Sequence, residues 1–519
     1  MSIALATDVL EVLARIGARE FCVCGGARNA ALLAVLSQSR GFRLWNFPEE
    51  RCAGFFAVGR AMKIGQPVTI VTTSGTAAAE LLPAAIEARY QNLPLILLTA
   101  DRPARFRGTG APQAIEQVGL FGGYASPCAD IHDGTLTASV RHVIQSWDQF
   151  GPLHVNLCLE EPADLDGAQD IVCGYSPSRK PSISDGSESL VEFIGDRGGL
   201  VVMLGALNHS ERAHLVPFLQ RLGCPIYAEA TSGLRENASL EPLHVRGEFQ
   251  FAELNARKIL RIGGVPVSRF WRDLEGEPEI QVLSVTHSTL SALARPSTVC
   301  GFPQWDSIGI PHDPVAAAAF FEAGPASKRP AALCGGSEVP EESSLHPAPE
   351  AALISRLSEC IPSRSLVFLG NSLPIRQWNE FASRQDRGLR CFASRGANGI
   401  DGALSTFFGL SADEAESWCL VGDLTALYDL ASPWILRQLP RARRRIVILN
   451  NRGGHIFRHV SGLRGLPASA WPLIENPHDL DFRGWAALWR MGFRIVKTAE
   501  EFMQSIDEDS FVIEVNSSE

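Results

Sequence analysis

The 519-residue sequence has no run of about 18 or more consecutive apolar residues, the length a membrane-spanning helix requires. Its start, MSIALATDVLEVLARIG, has neither a charged leading segment nor a small-residue cleavage site. It reads as an amphipathic helix, and a cytoplasmic location with no membrane partner is expected. An excess of positive charge is also missing. With 47 Lys+Arg against 57 Asp+Glu the net charge is −10, which argues against nucleic-acid or anionic-membrane binding while leaving room for small anionic substrates where cations gather locally. The twelve cysteines, scattered from Cys22 to Cys419, show no zinc-site spacing. Cys22 and Cys24 alternate along an expected strand and share one face, where a free thiol usually serves as a small buried hydrophobe. No short-period repeat is present.

What is there is the composition of a packed globular protein, 45% hydrophobic and 20% charged. At about 100 to 200 residues per domain, the length suggests roughly three domains. Apolar runs ending in small or polar residues recur: Pro67–Val71 before Thr72-Thr73-Ser74-Gly75, Pro94–Leu98, Leu200–Gly205, Leu366–Gly370, Cys419–Asp423 and Ile446–Asn450. Each is followed by helical periodicity, the βα alternation of parallel sheets. The expected class is therefore α/β with parallel sheets, whose ligands bind at the carboxyl ends of strands. Stretches 174–182 and 324–349, rich in Pro, Gly and Ser, read as linkers and divide the chain into parts spanning 1–175, 190–325 and 350–519. The first and third parts are similar in length and both carry glycine-rich turns after strands, which is compatible with a duplicated architecture.

The strongest chemical signal lies in the third part. Gly422-Asp423-Leu424-Thr425 follows one apolar strand and Asn450-Asn451-Arg452-Gly453-Gly454 the next, with 28 positions from Asp423 to Asn451, room for one helix. A hard divalent cation takes oxygen ligands, and Mg²⁺ prefers one or two protein oxygens combined with substrate phosphates. The Asp423 carboxylate, the Asn451 side-chain carbonyl and the Gly453 main-chain carbonyl could supply such oxygens, and a helix from Thr425 would offer N–H groups to a diphosphate. Either motif alone also occurs in plain turns. Upstream, Glu49 and Glu50 precede an apolar run, where desolvation raises a carboxyl pKa; the alternative is an acidic helix start.

The ordered segments EERCAGFFAVGRA, TSGTAAAELLPAAIEA, PLILLTADRPARFRGTGAPQAIEQVGLFG, GNSLPIRQW, SRGANGIDGALST, GDLTALYDL, NNRGGHIF and NPHDLDF resemble the 2-succinyl-5-enolpyruvyl-6-hydroxy-3-cyclohexene-1-carboxylate synthase family of thiamine diphosphate enzymes. They run from about residue 21 to 483; the middle part contributes PIYAEATSGLR and RIGGVPVSR. The resemblance implies three parallel-sheet α/β domains of the thiamine diphosphate-binding superfamily: pyrimidine-binding, middle and diphosphate-binding. It implies a transferase of menaquinone biosynthesis, a carboligase that decarboxylates 2-oxoglutarate and adds the succinyl unit to isochorismate by 1,4-addition. It also implies thiamine diphosphate and Mg²⁺, with Mn²⁺ as the alternative, and a homodimer or homotetramer with sites between subunits.

By position, Glu50 resembles the family's cofactor-activating glutamate and Ile400 the hydrophobic wedge that bends the cofactor. Ser74, Gly75 and Thr76 match the pyrimidine-side loop, Asn371 and Ser372 the loop near the diphosphate. Gly422, Asp423, Leu424 and Thr425 with Asn451 and Gly453 match the diphosphate and metal motif, with Asp423, Asn451 and the Gly453 carbonyl as metal ligands. Arg28, Arg102, Gln113, Arg376 and Arg395, with Ile456 and Phe457, fall where the family binds substrate, and Arg269 where relatives carry a basic residue. Both substrates carry two carboxylates, which planar guanidinium groups bind bidentately.

The sequence departs from the family pattern in four places. Gly25-Gly26-Ala27-Arg28-Asn29 replaces Pro-Gly-Ser-Arg-Ser, Pro112 replaces an Asn of some relatives, Glu80 stands where a neutral amide is common, and Arg452 lies between two predicted ligands. Two other readings compete: a sister thiamine diphosphate 2-oxo acid decarboxylase or carboligase with another acceptor, and a catalytically silent diphosphate-binding homologue. The arginine set, with TADRP and GAPQAI, disfavours the first; joint retention of Glu50, Asp423 and Asn451 disfavours the second.

Overall fold

The computed structural model describes residues 2–161, 165, 168, 170–171, 185–247, 250, 254–310, 348–498, 501–502 and 509–516. The linker readings over 174–182 and 324–347 lie outside the described residues. The chain divides into two compact units: Met1–Pro181 with Ser394–Ala415 and Thr425–Ala442, and Ser182–Ala393 with Glu416–Leu424 and Arg443–Glu519.

Among the described residues there are three sheets, and every strand pair is parallel. The first holds β1 (Glu20–Cys24), β2 (Arg43–Phe47), β3 (Val68–Thr72), β4 (Leu95–Asp101), β5 (Cys128–Ile131) and β6 (Leu153–Cys158) in the order β2-β1-β3-β4-β6-β5. The second orders β7 (Leu200–Leu204), β8 (Ile226–Ala228), β9 (Lys258–Ile262), β10 (Gln281–Val285) and β11 (Thr298–Cys300) as β11-β10-β9-β7-β8. The third holds β12 (Leu366–Leu369), β13 (Arg390–Phe392), β14 (Glu416–Gly422), β15 (Arg443–Asn450), β16 (Gly492–Val496) and β17 (Ser510–Asn516), ordered β13-β12-β14-β15-β17-β16. Renumbered from its own first strand, the third sheet repeats the order of the first, so the duplicated architecture that the sequence only permitted is present. Strands β1, β3, β4, β6 and β7 are buried at every position, as parallel strands covered on both faces must be.

Within the first unit, the helix Glu50–Ile64 starts at Glu49, whose backbone is extended and whose carboxylate accepts the N–H groups of Arg51 and Cys52 at 3.0 and 2.9 Å. It stops at Gly65, in the left-handed region at φ +63°. This helix crosses the helix Ala403–Leu410 through two glycines. A Cβ on Gly59 would lie 2.1 Å from the Thr406 carbonyl oxygen, and one on Gly409 would lie 2.2 Å from that of Phe56. Beside the crossing, the buried Arg60 guanidinium spans Glu20 (2.6 Å) and Asp413 (2.8 Å), and Trp45 Nε1 also donates to Glu20. Removing one member of such a buried pair costs about 3–5 kcal/mol because it strands the other charge.

In the second unit, the helix Leu373–Phe381 ends against Arg235, which is fully buried. Its guanidinium donates to the carbonyls of Asn379 (3.0 Å), Ala382 (2.7 Å) and Ser383 (3.2 Å), satisfying acceptors that a helix terminus leaves open. The Asn379 side chain accepts the Ala230 N–H at 2.9 Å, and Glu229 accepts that of Val267 at 2.5 Å. The two middle-part motifs, PIYAEATSGLR and RIGGVPVSR, are thus joined to each other and to this helix.

Candidate functional site

In each sheet the first strand lies between the second and third, so the chain reverses direction across the sheet at β1/β3, β7/β9 and β12/β14. Ligands of open parallel sheets bind at the carboxyl ends of such strand pairs. The turn holding Arg28 follows β1 and Ser74-Gly75-Thr76 follow β3; Asn371 and Ser372 follow β12, and Asp423 follows β14. The polar signatures chosen from sequence therefore fall at the crevices of the first and third sheets.

In the first unit, a Cβ on Gly26 would lie 2.7 Å from Thr73, so the two turns are in contact there. Gly75 takes φ +88° with Gln113 packed against it, and donates its N–H to the buried Gln117 side chain at 2.9 Å. Thr76 opens the short helix Thr76–Ala79. Glu49 and Glu50 have different fates: Glu49 is the helix cap, while Glu50 is half-buried at the first helical position. Burial raises the Glu50 pKa; its own backbone N–H works against this, and the negative charges of Glu49 and then Glu80 add to the rise. Glu80, a departure from the family pattern, thus lies close enough to affect Glu50.

Arg28 donates to the Leu159 carbonyl at 3.0 Å and lies 3.4 Å from Glu161 Oε1; Arg102 lies 3.8 Å from the same oxygen and over the Phe106 ring at 4.7 Å. One exposed carboxylate oxygen, that of Glu161, is within reach of both guanidinium groups. Arg395 precedes a loop, 396–401, that leads to Ile400 and then to Gly402, where a Cβ would lie within 1.9 Å of the Phe55 ring. Ile400 is half-buried, and its loop is packed against the helix that begins at Glu50.

In the second unit, Asp423 is buried; its carboxylate accepts the N–H of Leu424 at 2.7 Å and that of Gly453 at 2.9 Å. Its helix, Asp423–Tyr428, starts at Asp423 itself, two residues before the expected Thr425, and Thr425 is buried inside it. Between β14 and β15 this helix is joined by a 3-10 turn, Ser432–Arg437, so the gap holds two helical pieces where one was expected. Gly453 (φ +146°) requires glycine, because a Cβ would lie 2.7 Å from the Glu475 carbonyl oxygen. The Gly453 N–H bond brings the Asn451–Gly453 turn against Asp423. With Asp423 and Asn451 the turn offers the oxygen donors that a hard cation needs, so the residues fit Mg²⁺. Asn371 is buried, and Ser372 holds a positive φ of 73°, a strained backbone for a residue with a Cβ. Arg376 donates to the Ser372 carbonyl at 2.6 Å. Arg269 bonds Asp273 at 3.2 Å and reaches the His459 carbonyl at 3.5 Å, beside the 3-10 helix His455–His459 that carries half-buried Ile456 and exposed Phe457.

Two residues escaped the sequence reading. His478, in NPHDLDF, accepts the Leu480 N–H on Nδ1 at 3.2 Å, and its Nε2 lies 3.3 Å from Asp423 Oδ2. Its place as the third residue of a recognised motif was the available signal. Glu87, in TSGTAAAELLPAAIEA, binds the loop after Arg395; nothing in its own segment distinguishes it from a solvated helix carboxylate.

The cysteine reading agrees with the structure. Cys22 and Cys24 are buried and burial pushes both thiols up, away from reactivity.

Parallel α/β sheets with glycine turns after paired strands and a buried aspartate at a strand end are the architecture of doubly wound ligand-binding proteins. Residues 3–120 match the thiamine pyrophosphate enzyme, N-terminal TPP binding domain, and the chain is a thiamine pyrophosphate enzyme. Among curated relatives, the 2-succinyl-5-enolpyruvyl-6-hydroxy-3-cyclohexene-1-carboxylate synthase of Akkermansia muciniphila is 42% identical over 95% of this chain and 92% of its own length. Those of Bdellovibrio bacteriovorus (36% identical, 94% and 91% covered) and Synechococcus sp. (32%, 88% and 83%) carry the same name. The chain belongs to the 2-succinyl-5-enolpyruvyl-6-hydroxy-3-cyclohexene-1-carboxylate synthase family.

Proposed function

We propose that this enzyme decarboxylates 2-oxoglutarate and adds the resulting succinyl unit to isochorismate by 1,4-addition, releasing CO₂, as a step of menaquinone biosynthesis in the cytoplasm. The observation that supports this most is that Arg28 and Arg102 converge on a single carboxylate oxygen, in a chain whose kinship with the synthases covers nearly its whole length. Thiamine diphosphate, when bound, supplies the electron sink for loss of CO₂ and the carbon nucleophile. Glu50, with its raised pKa, would hold a proton beside the aminopyrimidine ring. Asp423, Asn451 and the Gly453 carbonyl would hold Mg²⁺, Asn371 and Ser372 the diphosphate, and Ser74, Gly75 and Thr76 the pyrimidine.

Arg28, Arg102, Arg376 and Arg395 bind substrate carboxylates with Gln113, and Arg269 contributes from the middle part. Ile400 shapes the cofactor pocket; Ile456 and Phe457 exclude water, since protonation in place of addition would waste the succinyl unit. The three sheets correspond to pyrimidine-binding (1–175), middle (190–325) and diphosphate-binding (350–519) domains, and a homodimer is the minimum active unit. The test is one assay: protein with thiamine diphosphate, Mg²⁺, 2-oxoglutarate and isochorismate, following loss of isochorismate absorbance. Consumption of 2-oxoglutarate while isochorismate persists would overturn the acceptor assignment in favour of a sister decarboxylase.

A further inference from the structure

The loop between Arg395 and Ile400 is pinned at both ends. At its far end Gly402 abuts the Phe55 ring. At its near end the Glu87 carboxylate, on the helix Leu82–Gln91 and 3% exposed, accepts two consecutive backbone N–H groups: Gly396 on Oε1 at 2.8 Å and Ala397 on Oε2 at 2.7 Å. Gln91 also donates to Oε1, at 2.5 Å. The approach is so close that a Cβ on Gly396 would lie 2.4 Å from the Glu87 carbonyl oxygen. Between the pins the loop does not collapse onto the helix. A cavity of about 240 Å³ separates Phe55, Leu82, Pro83 and Ile86 from Ala397 and Gly399. Beside this space the loop is held at Gly396 and Ala397 by Glu87 and at Gly402 against Phe55.

A carboxylate bound by two N–H groups forms charge-assisted bonds, stronger than neutral ones and directional at both oxygens. Glutamine cannot replace it, because one of its two ends presents N–H to N–H. We propose that Glu87 is a positioning residue for substrate binding: by holding the amides of Gly396 and Ala397 it sets the place of the Arg395 guanidinium, so that part of the affinity for the substrate carboxylate passes through Glu87. This rests on the reading of Arg395 as a substrate-binding residue.

The test is a double-mutant cycle on the full-length holoenzyme with Glu87→Gln, Arg395→Ala and the double variant. Glu87→Gln is expected to raise the KM of one dicarboxylate substrate about tenfold, from a lost charged hydrogen bond, with kcat within about threefold. In the Arg395→Ala background it should add less than about twofold, because residues acting as a unit are not additive. Glu87→Asp, which keeps the charge but shortens the reach, should give an intermediate rise. The same factor in both backgrounds, a fall in kcat with KM unchanged, or an inert Arg395→Ala beside an active Glu87→Gln would overturn the proposal. A second readout is independent of turnover: trypsin should cut the Arg395–Gly396 bond about tenfold faster in Glu87→Gln than in the parent, and equal rates would overturn it even if the acceptor is not isochorismate.

Discussion

At the scale of single residues, two adjacent glutamates have been given different work by one backbone change. Glu49 is extended and its carboxylate is consumed as the helix cap; Glu50, one residue on, is helical, half-buried and keeps a raised pKa. Glu49→Ala should therefore cost about 0.5–2 kcal/mol in urea unfolding, the usual value of a lost cap. Glu50→Gln should abolish turnover and leave the unfolding midpoint and thiamine diphosphate binding near those of the parent; retained turnover would remove Glu50 from cofactor activation. Because the negative charge of Glu80 helps raise the Glu50 pKa, Glu80→Gln should make Glu50 ionise at lower pH. The acidic limb of the kcat/KM profile would then move to lower pH, and an unmoved limb would separate the two carboxylates. The EE pair was visible in the sequence, but which member caps was not, because that choice depends on where the backbone turns from extended to helical.

At the scale of elements, the helices Glu50–Ile64 and Ala403–Leu410 can approach closely only because each presents a glycine to the other's backbone. Gly59→Ala should cost about 1–3 kcal/mol, the range for overpacking a close contact, read as a lower denaturation midpoint. An unchanged midpoint would mean the helices separate without penalty. In the sequence both glycines look like weak points in helical patterns. Their use appears only when two segments nearly 350 positions apart are brought together.

At the scale of the whole molecule, two histidines are buried as neutral groups. His154 lies between Thr99 Oγ1 (2.9 Å) and Cys128 Sγ (3.3 Å), and burial lowers its pKa to about 4. His244 is lowered to about 4 by burial first and then by the charge of Arg384. The unfolded value is 6.5, so unfolding takes up protons as the pH falls below it. Their contribution is fully present above pH 6.5 and is lost progressively as the pH falls towards 4. A shift of this size corresponds to about 3 kcal/mol for each group. Urea unfolding at pH 7, 5.5 and 4.5 should show the loss, and His154→Gln should flatten the dependence; an equally steep dependence in the variant would exclude His154 as its source.

The sequence by itself determined the strands and the small and polar turns after them, because burial on both faces demands continuous apolar runs and tight turns at strand ends demand small and polar residues. It also placed Asp423 and Asn451 at neighbouring strand ends, since one short crossover fits the spacing between them. Tertiary structure alone decided the repeated strand order of the first and third sheets and the convergence of Arg28 and Arg102. It also gave Arg235, Glu87 and His478 their partners. Each of these depends on a partner distant in the chain, or on the path of a turn between strands, and local propensity and periodicity carry information about neither.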